Sequence, residues 1–267
     1  HKNIVQNRLI CVIMNKVIKM TTKEYLNLID KVNENGKFKA DWSSLSQHSV
    51  PEWYMHDKLG VFIHWGVYSV PAFGNEWYSR GMYDKTVREF EHHRKTWGEQ
   101  KVFGYKDFIP MFKAEKFNAS DWVSLFKKAG IKYVMPVAEH HDGFAMYETE
   151  FNRWNSKEMG PMRDVVGELK AECEKQGLEL CASTHRAEHY FFMNPGRLCD
   201  SDINDEKYVD FYGPAVYCEE FDPAIIHITT ADTYSKGASK EWLEDWLVRT
   251  CEIIDKYQPS VLYFDWW

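Results

Sequence analysis

Residues 133–142 read Tyr-Val-Met-Pro-Val-Ala-Glu-His-His-Asp, an apolar run that climbs directly into two carboxylates and two imidazoles. Desolvating such groups costs free energy unless they are paired, so a buried strand has no packing use for four of them at its end. Either they hold a metal ion or they bind a polar molecule that visits. His64 ends a second apolar run, 59–63, and Trp65-Gly66 follows at once. Asp265 ends a third, after the four apolar positions 261–264. An aspartate there either caps a following helix or offers a carboxylate to whatever the strand ends face. Glycoside cleavage needs such a group. An oxocarbenium-like centre is stabilised by a negative oxygen about 3 Å away, and a second carboxyl must protonate the leaving group.

A metal on both His140 and His141 is disfavoured by their adjacency, because neighbours on a strand point to opposite faces unless the strand has already turned to loop. The H-x-H and H-E-x-x-H spacings that bring two imidazoles together are missing from this stretch. No metal and no cofactor are expected. Glu76-Trp77-Tyr78 lies in an aromatic loop that either lines a site or covers the rim of the core. The 16% aromatic content, with 11 Trp, suits sugar-stacking platforms as well as large cores. A net charge of −7 weighs against non-specific nucleic-acid binding, and no run nears the roughly 20 apolar residues of a membrane span. Cys11, Cys173, Cys181, Cys199, Cys218 and Cys251 form no C-x-x-C pair, which reads as reduced thiols and a cytoplasmic setting.

These residues need elements to position them. Strands are expected over 59–70, 132–140, 178–184 and 260–267. Helices are expected from the Asn118 cap to Gly130, over 162–176 with Gly177 as the stop, and over 240–258. Residues 185–237 read as a loop with an insertion. Alternating strands and helices with continuously apolar strands imply parallel pairing. Without a Gly-x-Gly-x-x-Gly turn the pattern suits a (β/α)8 barrel, of which about four β/α units, the first half, are present. The polar residues gather at strand C-termini, the face that carries the active site in such barrels.

Position 1 is His rather than Met, and the apolar run 9–14 is shorter than the roughly 7–15 residues of a signal-peptide core at its fuller lengths. Residues 1–40 therefore read as a flank, either non-native or a helical lead-in. The last strand stops without turn or cap, so 41–267 is expected to be a catalytic unit that continues past Trp267.

Three long motifs, "KLGVFIHWGVYSVPAFGNEWYSRGMY", "AEHHDGFAMY" with "FNRWNS" and "GPMRDVVGEL", and "YQPSVLYFDWW", closely resemble the alpha-L-fucosidases of glycoside hydrolase family twenty-nine. The likeness runs in register from about residue 52 to the end. It implies a retaining exo-fucosidase acting on fucosylated oligosaccharides or glycoconjugates. By that resemblance Asp265 is the nucleophile. His64, Glu76, Trp77, His140 and His141 hold the sugar, and Tyr263 stands where many members have Trp. Ser183 and Thr184 replace a Tyr common in the family, and His185 or Glu188 is expected to contact the sugar or aglycone there. The family's acid/base is expected beyond residue 267, which would leave the present chain inactive. A sugar-binding relative without catalysis is the alternative.

Overall fold

The computed structural model describes residues 20–213 and 239–265. Its centre is a five-stranded sheet made of β1 (Gly60–Ile63), β2 (Tyr133–Glu139), β3 (Glu179–Leu180), β4 (Ala182–Thr184) and β5 (Leu262–Phe264). The spatial order is β1-β2-β4-β5, with β3 also against β2, and every pair is parallel. Parallel strands need crossovers, and helices supply them: α3 (Ala119–Lys128) before β2, α4 (Val165–Gln176) before β3, and α6 (Lys240–Tyr257) before β5. This is an α/β fold with a parallel sheet.

The helix ends follow their sequence signals. Asn118 accepts hydrogen bonds from the Ser120 and Asp121 amides, and Asp164 accepts one from Gly167. Gly177 takes the left-handed conformation, φ 76°, that closes α4. Val166, Leu169 and Cys173 of α4 pack with Val134, Ala138 and Leu180 of the sheet in the main core. The flank before residue 40 carries helix α1 (Thr22–Asn35), started by a Thr21–Glu24 capping box, and α2 (Arg88–Thr96) lies between β1 and α3. Tyr25 and Ile29 of α1 bury with Val248 of α6 in a small satellite core.

Three elements differ from the sequence expectation. The first strand stops at Ile63 because Gly66 opens a tight turn: Ser69 N–H donates to Gly66 O (2.9 Å), and Val67–Ser69 forms a 3-10 turn. The third strand is split at Cys181, between the Val134–Leu180 and Val137–Ser183 rungs that flank Pro136 of β2. A proline has no N–H to give, so a central strand that contains one loses a rung of its ladder. A register shift between Val137 and Glu139 follows. The described part of 185–237 is not a loop. It holds α5 (Arg186–Phe192) and shorter helical turns at Asn194–Arg197 and Val209–Tyr212, and residues 214–238 lie outside the described residues. Arg186, Glu188 and His189 of α5 are buried, and Arg186 and His189 bond to Glu139 and the His141 carbonyl far away in the chain.

Candidate active site

Backbone bonds hold three strand ends level. His185 N–H donates to Glu139 O (2.8 Å), and Asp265 N–H donates to Thr184 O (3.2 Å). The side chains just past those ends therefore share one mouth. Four imidazoles meet there, with ring centroids 4.5 Å apart for His140–His141, 4.8 Å for His140–His185, 5.0 Å for His141–His185 and 5.2 Å for His64–His185. His140 and His141 face the same region because β2 has ended at Glu139 and the chain has turned, so strand alternation no longer separates them. Gly143 makes that turn at φ 80°, and a Cβ there would come within 2.6 Å of the His189 ring.

Each ring has a distinct hydrogen-bond state. His141 Nδ1 faces two acceptors, His185 O at 3.1 Å and Glu188 Oε2 at 3.2 Å. It therefore carries the proton, and the Nε2 lone pair is left to accept. Burial pulls the His141 pKa down to about 3, helped by His64 and Arg80 nearby. His185 Nε2 lies 2.7 Å from Ser183 Oγ. Its Nδ1 is 3.1 Å from Asp265 Oδ2, a close contact outside hydrogen-bond geometry. Burial, with His141 and His64, pushes the His185 pKa down to about 2. His140 is 2% exposed, and neither of its ring nitrogens has a hydrogen-bond partner among the described residues. Burial holds it well below the ordinary histidine range, with His141, His185 and His64 adding to the effect.

Asp265 is partly exposed, and Tyr263 O–H reaches its Oδ1 at 3.4 Å. Tyr263 is exposed and packs edge-on to Phe62, while His64 is also exposed, 4.8 Å from the same Phe62 ring. Trp77 stands edge-on to His141 (5.8 Å) and Phe192 (5.4 Å), and Glu76 beside it is exposed. Glu188 is buried behind His141.

Two of the four ionisable groups at the end of β2 serve the protein itself. Glu139, 1% exposed, pairs with Arg186 Nη1 (2.6 Å) and Arg249 Nη1 (3.3 Å). Asp142 accepts from Tyr105 O–H (2.6 Å) and Phe144 N–H (3.0 Å). That corrects the expectation that all four face a visitor; the two histidines turn toward the shared mouth. Two residues are given no role in the site by the sequence reading. Tyr68 lies 4.6 Å from His140 with a buried hydroxyl that lacks a partner among the described residues. Ser183 orients His185. Nothing local in "GVYSV" marks Tyr68, whose partner is distant in sequence, whereas Ser183 meets His185 only two positions on. Among the described residues two groups could hold an ion, His64–His140–His185 and His141–His185–Asp265.

The alpha-L-fucosidase family profile matches residues 26–267. The chain belongs to the alpha-L-fucosidase family. An alpha-L-fucosidase of Branchiostoma floridae is 40% identical over 235 residues, covering 86% of this chain and 44% of the relative. Tissue alpha-L-fucosidase of Bos taurus is 40% identical over 143 residues, 53% of this chain and 30% of the relative. The solved alpha-fucosidase of Thermotoga maritima superposes with a TM-score of 0.65 at 31% identity, covering 86% of this chain and 49% of that one. Its complex with fucose matches at a TM-score of 0.63. This alpha-L-fucosidase family chain thus spans less than half of the length of these relatives, 30% to 49%. Among its described residues no helix is long and apolar enough to cross a membrane.

Proposed function

We propose that residues 41–267 carry the sugar pocket and the nucleophile of a retaining exo-alpha-L-fucosidase, built on the first half of a (β/α)8 barrel, with 1–40 as a lead-in. The substrate is terminal alpha-L-fucose on an oligosaccharide or glycoconjugate. The observation that carries this reading is His140. A buried imidazole with two unpartnered nitrogens is costly to fold, and a polyhydroxylated ligand supplies both donors and acceptors to it. His141 Nε2 accepts a sugar hydroxyl, His64 and Glu76 bind from the exposed rim, and Trp77 offers an apolar face. His185 and Tyr263 flank Asp265 and orient its carboxylate.

Asp265 attacks the anomeric carbon and forms a fucosyl-enzyme ester as the aglycone leaves. A second carboxyl about 5–5.5 Å away protonates the departing oxygen, then deprotonates the water that cleaves the ester. Glu139 is committed to two arginines and Glu188 is buried behind His141. On the family resemblance, we assign the acid/base to a segment outside 1–267. The test is a fluorinated fucosyl donor with a good leaving group, which traps the ester for mass spectrometry of the peptide bearing Asp265. A label on another carboxyl would overturn the nucleophile assignment. Fucose binding by the full-length protein with neither label nor turnover would mark a sugar-binding relative.

A further inference from the structure

We propose that His141, His185 and Asp265 form a binding site for a borderline transition-metal dication such as Zn2+ or Ni2+, which competes for the groups that hold the sugar. One ligand atom from each of the three lies within 4.8 Å of the other two. Two imidazoles and one carboxylate form a facial donor set that leaves positions open for water.

The surroundings of the set favour this over a chance cluster. Metal-bound histidines have their outer nitrogen held by a carboxylate, carbonyl or hydroxyl, which fixes the ring and raises its basicity. Both histidines here are held that way. His141 Nδ1 faces Glu188 Oε2 (3.2 Å) and His185 O (3.1 Å), so Nε2 is the nitrogen available to an ion. His185 Nε2 is engaged by Ser183 Oγ (2.7 Å), so Nδ1 is the available one. That Nδ1 stands 3.1 Å from Asp265 Oδ2 without hydrogen-bond geometry. Two ligand atoms each about 2.1 Å from one ion, near a right angle, are separated by about 3 Å. Tetrahedral ligands lie about 3.4 Å apart, so a pair at the 4.8 Å limit must close by about 1.4 Å. Asp265 is the group able to move, since its side chain is 38% exposed. The neighbouring His140, buried with both nitrogens unpartnered, adds a lone-pair donor to the same mouth.

An ion in this position occupies the carboxylate assigned as nucleophile, so it blocks the site rather than assisting it. The test is Zn2+ calorimetry on the purified protein, alongside the visible spectrum of added Co2+. Asp265→Asn keeps the shape of a partly exposed side chain, and far-UV circular dichroism checks that the variant is folded. Its Zn2+ affinity is expected to fall at least about tenfold, whereas His64→Ala, which removes an imidazole outside the set, changes it by less than about twofold. Co2+ should give intense low-coordinate bands at one equivalent in the wild type and lose them in Asp265→Asn. Equal Zn2+ affinity in wild type and Asp265→Asn overturns the proposal, as does an equal loss in His64→Ala. Neither readout involves sugar or turnover, so failure of this site and failure of the fucosidase reading are told apart.

Discussion

His141 Nδ1 and Glu188 Oε2 lie 3.2 Å apart, with side chains only 3% and 4% exposed. The carboxylate comes from α5, in a segment that reads as loop from sequence, and it reaches the imidazole at the end of β2. It fixes which nitrogen of His141 carries the proton, and so which one can accept from a ligand. Glu188 therefore acts through His141. Glu188→Ala in the full-length enzyme is expected to raise KM and lower kcat together, with kcat/KM falling about 10- to 100-fold, as for a lost charge-assisted hydrogen bond of about 1.5–3 kcal/mol. Glu188→Gln, which keeps an acceptor, should recover part of that. Kinetics on an aryl alpha-L-fucoside check it; unchanged KM and kcat in both variants would remove Glu188 from the site.

Replacing Asp265 by Ala should abolish hydrolysis while leaving the fold intact, because its side chain is partly exposed and makes few contacts. Azide or formate should restore some activity on a substrate with a good leaving group, standing in for the lost carboxylate. Retention of more than about a hundredth of wild-type kcat/KM, a loss under roughly 2.7 kcal/mol, excludes Asp265 as the nucleophile.

The parts of this site that were legible in sequence are those encoded by abrupt changes along the chain. An apolar run that ends in His140-His141, or in Asp265, announces a strand terminus and its direction. Contacts between elements carry no such mark. Glu139 looks like its neighbours in sequence, and only the approach of Arg186 from α5 and Arg249 from α6 reveals it as part of the frame. The same blindness hid α5: the segment reads as loop, yet Arg186, Glu188 and His189 are all buried. The split at Cys181 was hidden for a different reason, because the proline responsible sits on the neighbouring strand.

That frame has a measurable energy. Glu139 holds two guanidinium groups, and Asp245 pairs with both at 2.6 Å and 3.1 Å. Removing one member leaves buried charge uncompensated. Glu139→Ala is expected to cost about 3–5 kcal/mol, read as a lower urea midpoint with an unchanged m-value. A loss below about 1 kcal/mol would show the network to be solvated.

His93 gives stability a pH dependence remote from the mouth. Its Nε2–H donates to Phe103 O (2.8 Å), its Nδ1 accepts from Tyr78 O–H (3.2 Å), and burial holds its pKa below the usual 6.5. The unfolded chain thus binds more protons as pH falls below 6.5. The contribution of His93 is complete above that value, declines below it, and is gone once pH passes the folded pKa. His93→Gln should flatten the fall in stability as pH drops below about 6.5, by up to about 1.4 kcal/mol per pH unit. Groups common to both proteins cancel in the difference. Parallel stability curves from urea titrations across that range would refute the neutral, doubly bonded imidazole.

His140 separates stability from binding most cleanly. A buried polar group without a partner costs about 1–3 kcal/mol, so truncating it removes a penalty. The cavity left by His140→Ala costs roughly 24 cal/mol per Å3, on the order of 1–2 kcal/mol for an imidazole-sized void. The two nearly cancel, and the melting temperature should shift little in either direction. Affinity for L-fucose should nonetheless fall several-fold or more, since each hydroxyl contact contributes about 0.5–1.5 kcal/mol and His140 has two nitrogens to offer. A purely structural histidine gives the opposite pattern, a lower melting temperature with calorimetric fucose affinity unchanged, and that result would take His140 out of the sugar pocket.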